Sequence, residues 1–265
     1  RSRQVQFMYD DMPVTLAGSY TKTHCAIATA LNYSSAANNY ESAVFNRFLE
    51  NIPVIASRFE DQYRGVRYPS TGFMTDTPNA GQVFNPEVGT VSATSSDVLI
   101  PAFLSAYTGT NVGKQSLNPF PSLAQILPNW RITYDGLTSI GSIGSIFKSL
   151  TLNHAYQCTY TVGSYSSYLN WLAADGSTLG FTLDEITGQP IPSSPYNISS
   201  VAITERFSPL IGMTATLYNN MTFNAEYRDA RTLTLNTSAG QIVEANQRGI
   251  SAGMGYKIVG FNTVL

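Results

Sequence analysis

The run Met221-Thr222-Phe223-Asn224-Ala225-Glu226-Tyr227-Arg228 decides how this chain folds. Its odd positions are apolar and its even positions polar or charged, the period of two that sends successive side chains to opposite faces of a β-strand. From Gly249 to Ile258 the same period returns: Ile250, Ala252, Met254, Tyr256 and Ile258 are apolar, against Gly249, Ser251, Gly253, Gly255 and Lys257. Asn236–Gly240 lies between the two runs and Tyr218-Asn219-Asn220 precedes the first, and both are turn-forming. A loop at Asn236–Gly240 that sets Tyr227 opposite Ile250 also pairs Ala225 with Ala252, Phe223 with Met254 and Met221 with Tyr256. It sets Asp229 against Arg248, opposite charges across the ladder. The other turn pairs Leu217 with Met221, Ala215 with Phe223, Met213 with Ala225 and Ile211 with Tyr227. A slip of one residue would invert every face, so the register is sharply specified.

The strands predicted by this pattern are long. Asn197–Leu217 would extend roughly 65–70 Å, whereas ordinary strands run about 5–6 residues and a membrane-crossing strand needs about 9–11. Composition agrees with strands that cross a bilayer and continue beyond it. Charged residues are 12% of the 265, against roughly 25% in soluble domains. Tyr (16) and Phe (13) are abundant while Lys occurs four times, which suits a lipid-facing wall with aromatic girdles. The fold class expected is all-β, a transmembrane antiparallel β-barrel that is partial, about six strands of a very large barrel, with a helix-containing loop insertion. The lipid-facing band would comprise Ile211, Met213, Leu217, Met221, Phe223, Tyr227, Ile250, Met254 and Tyr256. Thr222, Asn224, Glu226 and Arg228 would face the lumen. A single-chain barrel needs at least about 8 strands, so about six would not close alone.

Working outward, residues 1–33 read as a barrel strand segment around Val14–Leu31. Residues 34–127 read as an extracellular loop and helical insertion, with a helical pattern at Val44, Phe45, Phe48, Leu49 and Ile52, a Gly/Pro/Thr/Asn-rich stretch at Tyr68–Ser96 and an apolar helix at Leu99–Tyr107. Residues 128–265 read as barrel strands and hairpins: Trp130–Tyr134, Ser149–Leu169, and three strands from Tyr196 to Ile258. Strand parity places the short turn at Tyr218–Asn220 on the periplasmic side, since periplasmic turns are short, and Ser34–Leu127 outside. No stretch reads as a transmembrane helix, because Thr, Ser, Asn and Gln interrupt the uncharged run Ser149–Ala174. Arg1-Ser2-Arg3-Gln4 carries no signal peptide, so the chain is expected to be mature or cut from something larger.

Catalytic and cofactor chemistry finds little support. Gly109-Thr110-Asn111-Val112-Gly113-Lys114-Gln115 has three residues between its glycines and Gln after Lys, where a phosphate loop needs four and Ser or Thr. Gly253-Met254-Gly255 opens no dinucleotide fingerprint, since no helix is expected after it. His24, Cys25, His154 and Cys158 are all the His and Cys in the chain. On strands His24 and Cys25 diverge, and His154 and Cys158 sit roughly 13 Å apart, too far for one zinc. They are expected to pack within the wall, and two cysteines are too few for a disulfide framework. No G-x-S-x-G elbow occurs. Asp10/Asp11, Glu60/Asp61 and Asp184/Glu185 read as solvated loop or helix-end carboxylates. Of the Asn-x-Ser/Thr triplets at Asn32, Asn197, Asn220 and Asn236, the last two read as turn residues. The chain is expected to be no enzyme, with no catalytic residue, cofactor or metal, and a net charge of −2 offers no nucleic-acid footprint.

Several longer motifs carry a resemblance. Asp97-Val98-Leu99-Ile100-Pro101-Ala102-Phe103-Leu104-Ser105-Ala106-Tyr107-Thr108-Gly109 and Leu127-Pro128-Asn129-Trp130-Arg131-Ile132-Thr133-Tyr134-Asp135-Gly136-Leu137 are similar to segments of the SprA/Sov family, the outer-membrane translocon of the type IX secretion system. Phe147–His154, Tyr160–Tyr165, Phe207–Gly212, Glu226-Tyr227-Arg228 and Gly253–Lys257 extend the likeness, which runs from about Asp97 to Asn262 and weakens before that. The resemblance implies a very large single-chain barrel in the outer membrane of a Bacteroidetes-type bacterium, with a role in protein transport and gliding motility. It implies a wide pore for folded cargo bearing a C-terminal signal domain, a PorV-like outer-membrane barrel and a plug protein as partners, and contact with outer-membrane lipid and LPS. It implies no catalytic residue and no nucleic acid. The chain is much shorter than the family's translocons and is expected to form only part of the pore wall. Two other classes fit the composition: an extracellular β-sandwich binding module, and a small self-contained porin-like barrel.

Overall fold

A computed structural model describes residues 2–6, 15–22, 42–87, 89–120, 129–174, 177–184 and 186–258, with backbone alone for 2–6 and 15–22. Strands make up 45% of it, all in antiparallel sheets. Ten strands are present among the described residues: β1 (Ser2–Gln6), β2 (Thr15–Lys22), β3 (Trp130–Tyr134), β4 (Phe147–Ser167), β5 (Leu172–Ala173), β6 (Gly180–Leu183), β7 (Pro190–Ser193), β8 (Tyr196–Leu217), β9 (Met221–Asn236) and β10 (Gln241–Tyr256). Three helices accompany them: α1 (Ala43–Gln62), α2 (Ser96–Thr108) and the single turn α3 (Gly141–Gly144).

Seven strands form the main sheet, in the order β1-β2-β4-β8-β9-β10 with β3 also against β4. β2 meets β4 as far as Lys22 opposite Tyr160, and β3 starts with Trp130 opposite Tyr156. β8 occupies the other edge of β4, so β2 and β3 lie end to end, running the same way, as two halves of one strand position. The sheet is thus six strands wide. Everything between Lys22 and Trp130 is an insertion in that single position.

The observed registers are those that the alternation and turns dictate. Tyr227 pairs with Ile250, Ala225 with Ala252, Phe223 with Met254, Met221 with Tyr256 and Asp229 with Arg248. On its other edge β9 sets Tyr227 against Ile211, Ala225 against Met213 and Phe223 against Ala215. The β8–β9 turn is closed by Asn220 at φ 65°, while the Asn219 side chain accepts from the Met221 N–H at 3.1 Å. β8 carries a bulge between Phe207 and Ile211, where the Ser208–Pro209 peptide is cis. Four residues of β8 there span two of β9, so the facing of side chains is the same on either side. At Gly212 a Cβ would lie 2.7 Å from the Pro209 ring, and so glycine closes the bulge.

α1 packs on α2, and α2 packs on β8 of the long sheet. Ser42 caps α1 by accepting from the Phe45 N–H at 3.2 Å, and Val44, Phe48, Ile55 and Phe59 form its buried stripe. α2 is buried along nearly its whole length, from Ser96 to Tyr107. Between the helices the Asn51 amide donates to the Ser105 hydroxyl oxygen at 3.1 Å, and that hydroxyl donates to the Thr110 carbonyl at 2.8 Å. The small sheet β5-β6-β7 joins this unit through Phe181, whose ring lies 4.7 Å from Tyr68 and 5.3 Å from Tyr63.

Three expectations are corrected. The start of the chain contains two paired strands, β1 and β2, where one segment around Val14–Leu31 was expected; Val14 and residues 23–31 lie outside the described residues. The sheet β5-β6-β7 had no counterpart in the sequence reading, because strands of two to four residues are too short to show a period. The long strand begins at Phe147 and ends at Ser167, not Ser149–Leu169.

Candidate functional site

Pairing propagates the alternation of β9 across the whole sheet and defines two faces. On the first lie the even residues of β3, of β4 between Leu150 and Val162 and of β10, and the odd residues of β9 and of β8 from Val201 onward; a bulge in β4 adds Phe147, opposite Leu217. Its half nearest the Tyr218–Asn220 turn contains Tyr134, Leu150, Leu152, Ile211, Met213, Ala215, Leu217, Met221, Phe223, Ala225, Tyr227, Ile250, Ala252, Met254 and Tyr256, with no charged residue. Much of it is open to the surroundings: Ile250 is 83% exposed, Met254 71% and Ile211 66%. Such a large contiguous exposed apolar area is unusual for a protein surrounded only by water. A shallow apolar hollow of about 640 Å³ lies within it, between Phe147, Leu217, Phe223 and Met254. Exposed Ile140, Ile146, Tyr218 and Ile258 continue the apolar zone at the turn end. Tyr227 stands at its upper margin, and Tyr218 and Tyr256 at its lower one.

The other half of this face is different in kind. Tyr156, Cys158, Tyr160, Val162, Ile203, Phe207, Leu233 and Leu235 are buried beneath the helical unit. Among them sits a buried ion pair, Glu205 with Arg231, whose Nε donates to Glu205 Oε2 at 3.0 Å. The Tyr156 hydroxyl donates to the other carboxylate oxygen at 2.9 Å. Next along β9, Asp229 (3% exposed) meets Arg248 at 3.5 Å. The facing of the charge cluster was legible, Glu226 and Arg228 one way and Asp229 and Arg231 the other; the burial of Asp229 and Arg231, and the Glu205 partner of Arg231, were not. In the helical unit burial raises the Asp97 carboxyl above the usual carboxylate range, against hydrogen bonds from the Ser194 N–H at 3.0 Å and the Ser193 hydroxyl.

The second face carries polar or small residues along most of its length, with exposed Val243 near the Asn236–Gly240 turn. Thr222, Asn224, Glu226 and Arg228 of β9 share it with Thr214 and Thr216 of β8, Ser251, Gly253 and Gly255 of β10, and Thr151 and Asn153 of β4. Glu226 accepts from Arg228 Nε at 3.1 Å, two residues along the same face. Two further arginines, Arg131 on β3 and Arg206 on β8, stand on this face and were not singled out from the sequence. Their signal was the alternation Arg131-Ile132-Thr133-Tyr134, too short to read alone.

The remaining chemistry-bearing residues do not assemble. His154 Nδ1 lies 2.7 Å from the Leu210 carbonyl, an ordinary backbone contact. Cys158 is buried in the sheet, as expected, and is also disulfide-bonded, which was not; Cys25, the other cysteine, and His24 lie outside the described residues. Glu60 accepts from the Val91 N–H and Asp61 pairs with Arg64. Asp184 caps a turn, and donation from the Thr187 N–H and hydroxyl, with a smaller contribution from Ile186, holds its carboxyl below the usual range. Asp10, Asp11 and Glu185 lie outside the described residues. Gly109 ends α2 at φ 72° and the following segment is an irregular loop. No group of three or more metal-ligating side chains occurs among the described residues. No helix among the described residues is long and apolar enough to cross a membrane. No protein-family model matches the chain, and no curated protein matches it.

Proposed function

We propose that the chain is part of the wall of a large outer-membrane β-barrel that exports folded proteins, and that it performs no catalysis. One observation carries the reading. A continuous sheet of strands up to 22 residues long carries polar or small residues on nearly all of one face, and an uncharged apolar zone, much of it open, on half of the other. A water-filled lumen asks for the first face and hydrocarbon for the second. The apolar zone from Met221 to Tyr227 covers about 20–24 Å along the strand. The exposed residues at the turn end lengthen it, and tyrosines stand at both margins, as at a bilayer interface. The described part of the insertion, within residues 42–120, packs at the end away from the short Tyr218–Asn220 turn, which suits an extracellular position. A disulfide at Cys158 agrees with an oxidising compartment.

In this reading Ile211, Met213, Leu217, Met221, Phe223, Tyr227, Ile250, Met254 and Tyr256 contact lipid and LPS. Thr222, Asn224, Glu226 and Arg228 line the passage. Type IX secretion, the PorV-like barrel, the plug protein and cargo with a C-terminal signal domain follow from the resemblance to the SprA/Sov family. A self-contained small barrel and a β-sandwich binding module are the rivals. Both edge strands, β1 and β10, lack an outer neighbour among the described residues, as a segment of a larger barrel would.

The test is flotation with liposomes after an alkaline wash, on the wild type and on Met254→Arg and Ser251→Arg. Arg at the lipid-facing position costs about 2–4 kcal/mol near the bilayer middle. Met254→Arg is therefore expected to lose most flotation while Ser251→Arg keeps it. Equal behaviour of the two variants, or a wild type that stays soluble without detergent, would refute the membrane reading. The mass of the source polypeptide separates the large barrel from the small one.

A further inference from the structure

Charge on the polar face is confined to three adjacent rows. At the paired positions of β3, β4, β8, β9 and β10 on this face, the charged residues are Arg131, Arg206, Glu226 and Arg228. Every other paired position holds Thr, Ser, Asn, Gln, Gly, Ala or another uncharged residue. The registers place the arginines in adjacent rows. Arg131 is opposite Ala155, and Arg206 is opposite both Gln157 and Ala230, one row on. Arg228, opposite Gly249, is one row from Ala230 on the same side as Arg131. Arg131 and Arg206 line one hollow of about 400 Å³ with Gln157 and Ser208. Arg206 and Arg228 line a neighbouring one of about 310 Å³ with Gln247 and Gly249. All three arginines are exposed. Arg228 has Glu226, whereas Arg131 and Arg206 make no ion pair among the described residues. The small neighbours Ala155, Ser208, Ala230 and Gly249 leave the guanidinium groups standing above the surface.

We infer that this row is a docking strip for an acidic segment of polypeptide moving across the polar face. The inference rests on the reading of that face as the lining of a passage. From β3 to β9 is three strand spacings, roughly 14 Å, close to the roughly 13 Å between side chains i and i+4 of an extended chain. Guanidinium groups bind carboxylates in planar, bidentate fashion. An anionic lipid would need apolar surface for its chains, and this face has no apolar band at any height. Exposed contacts of this kind are individually weak and screened by salt, so the strip holds a passing chain without trapping it.

The test is fluorescence anisotropy of labelled poly-glutamate against the detergent-solubilised chain. Wild type is expected to bind, with affinity falling as salt rises from about 0.01 to about 1 M and the screening length shrinks from roughly 30 to roughly 3 Å. Arg131→Gln/Arg206→Gln/Arg228→Gln is expected to weaken binding by at least about tenfold. The corresponding triple Lys variant keeps most of it, and Arg47→Gln, on exposed α1, changes nothing. A heat-shift gel shows whether each variant is folded. Binding by the triple Gln variant equal to wild type would overturn the inference. So would preferential binding of LPS micelles, which would make the strip a lipid site. Flotation of the same samples separates the two proposals. Arginine-dependent binding by a chain that does not float retains the strip and sinks the membrane reading; flotation with arginine-independent binding does the reverse.

Discussion

At the scale of single residues the buried charges decide most. Glu205 and Arg231 are 2% and 1% exposed at their side chains, so neither is screened by solvent. Removing one leaves the other's buried charge without this ion-pair partner, a loss of about 3–5 kcal/mol, whereas replacing both with apolar residues is often neutral. Glu205→Leu is therefore expected to lower the urea midpoint strongly, and Glu205→Leu/Arg231→Met to restore most of it; equal loss in both would show that packing, not charge, dominates. Asp97 offers a check by pH. Its carboxyl is raised in the folded state, so the folded chain holds that proton more tightly than the unfolded one. Its contribution to stability is present at the low end of the window above the usual carboxylate value and is lost as pH rises through it. Asp97→Asn keeps an oxygen for the Ser194 N–H and removes the titration. Its thermal midpoint is expected to exceed that of the wild type at about pH 8 and to differ less at about pH 4.

Elements here are specified chiefly by turns. The β8–β9 hairpin closes through Asn220 at φ 65°, a region open to Asn and Gly and unfavourable for β-branched residues. Asn220→Gly is expected to be nearly silent. Asn220→Val is expected to cost about 1–2 kcal/mol, read as a lower denaturant midpoint with unchanged strand content by circular dichroism. The same turn fixes the register that puts Phe223, Ala215 and Met254 in one row. An insertion of one residue at Asn219 should therefore shift one flank of the hairpin against the other and reverse which side chains meet detergent. Cysteine labelling at Phe223→Cys and Thr222→Cys with a membrane-soluble reagent reads that reversal directly.

In the whole molecule, an insertion held within one strand position covers one half of a face and leaves the other half bare. The cover is fastened by aromatic contacts. Phe181 is fully buried between Tyr63, Tyr68 and Phe84, and the Tyr63 hydroxyl donates to the Gly180 carbonyl at 2.8 Å. Phe181→Ala is expected to cost about 3–5 kcal/mol. Hydrogen exchange should locate the loss: α1, α2 and β5–β7 lose protection together while the turn-end half of β9–β10 keeps its own. Uniform loss along β9 would mean that cover and sheet unfold as one unit.

The sequence alone determined the long strands, their turns and their register. All three are local: a period of two, two Asn-rich turns and a sheet that cannot slip without inverting its faces. It also marked α1 and α2 by their apolar spacing, and the two faces of β9 and β10 by alternation. Tertiary structure alone decided the rest, because partners far apart in the chain are set by packing and not by local pattern. Nothing local to Lys22 or Trp130 shows that they belong to one strand position, 108 residues apart in sequence. The odd residues of β9 share one face from Met221 to Leu235, yet those up to Tyr227 are half-buried and those from Asp229 onward are buried, a change that only packing on the sheet decides. Likewise Arg131, Arg206 and Arg228 stand on three separate strands, and only the ladder between β3, β4, β8 and β9 brings them into adjacent rows.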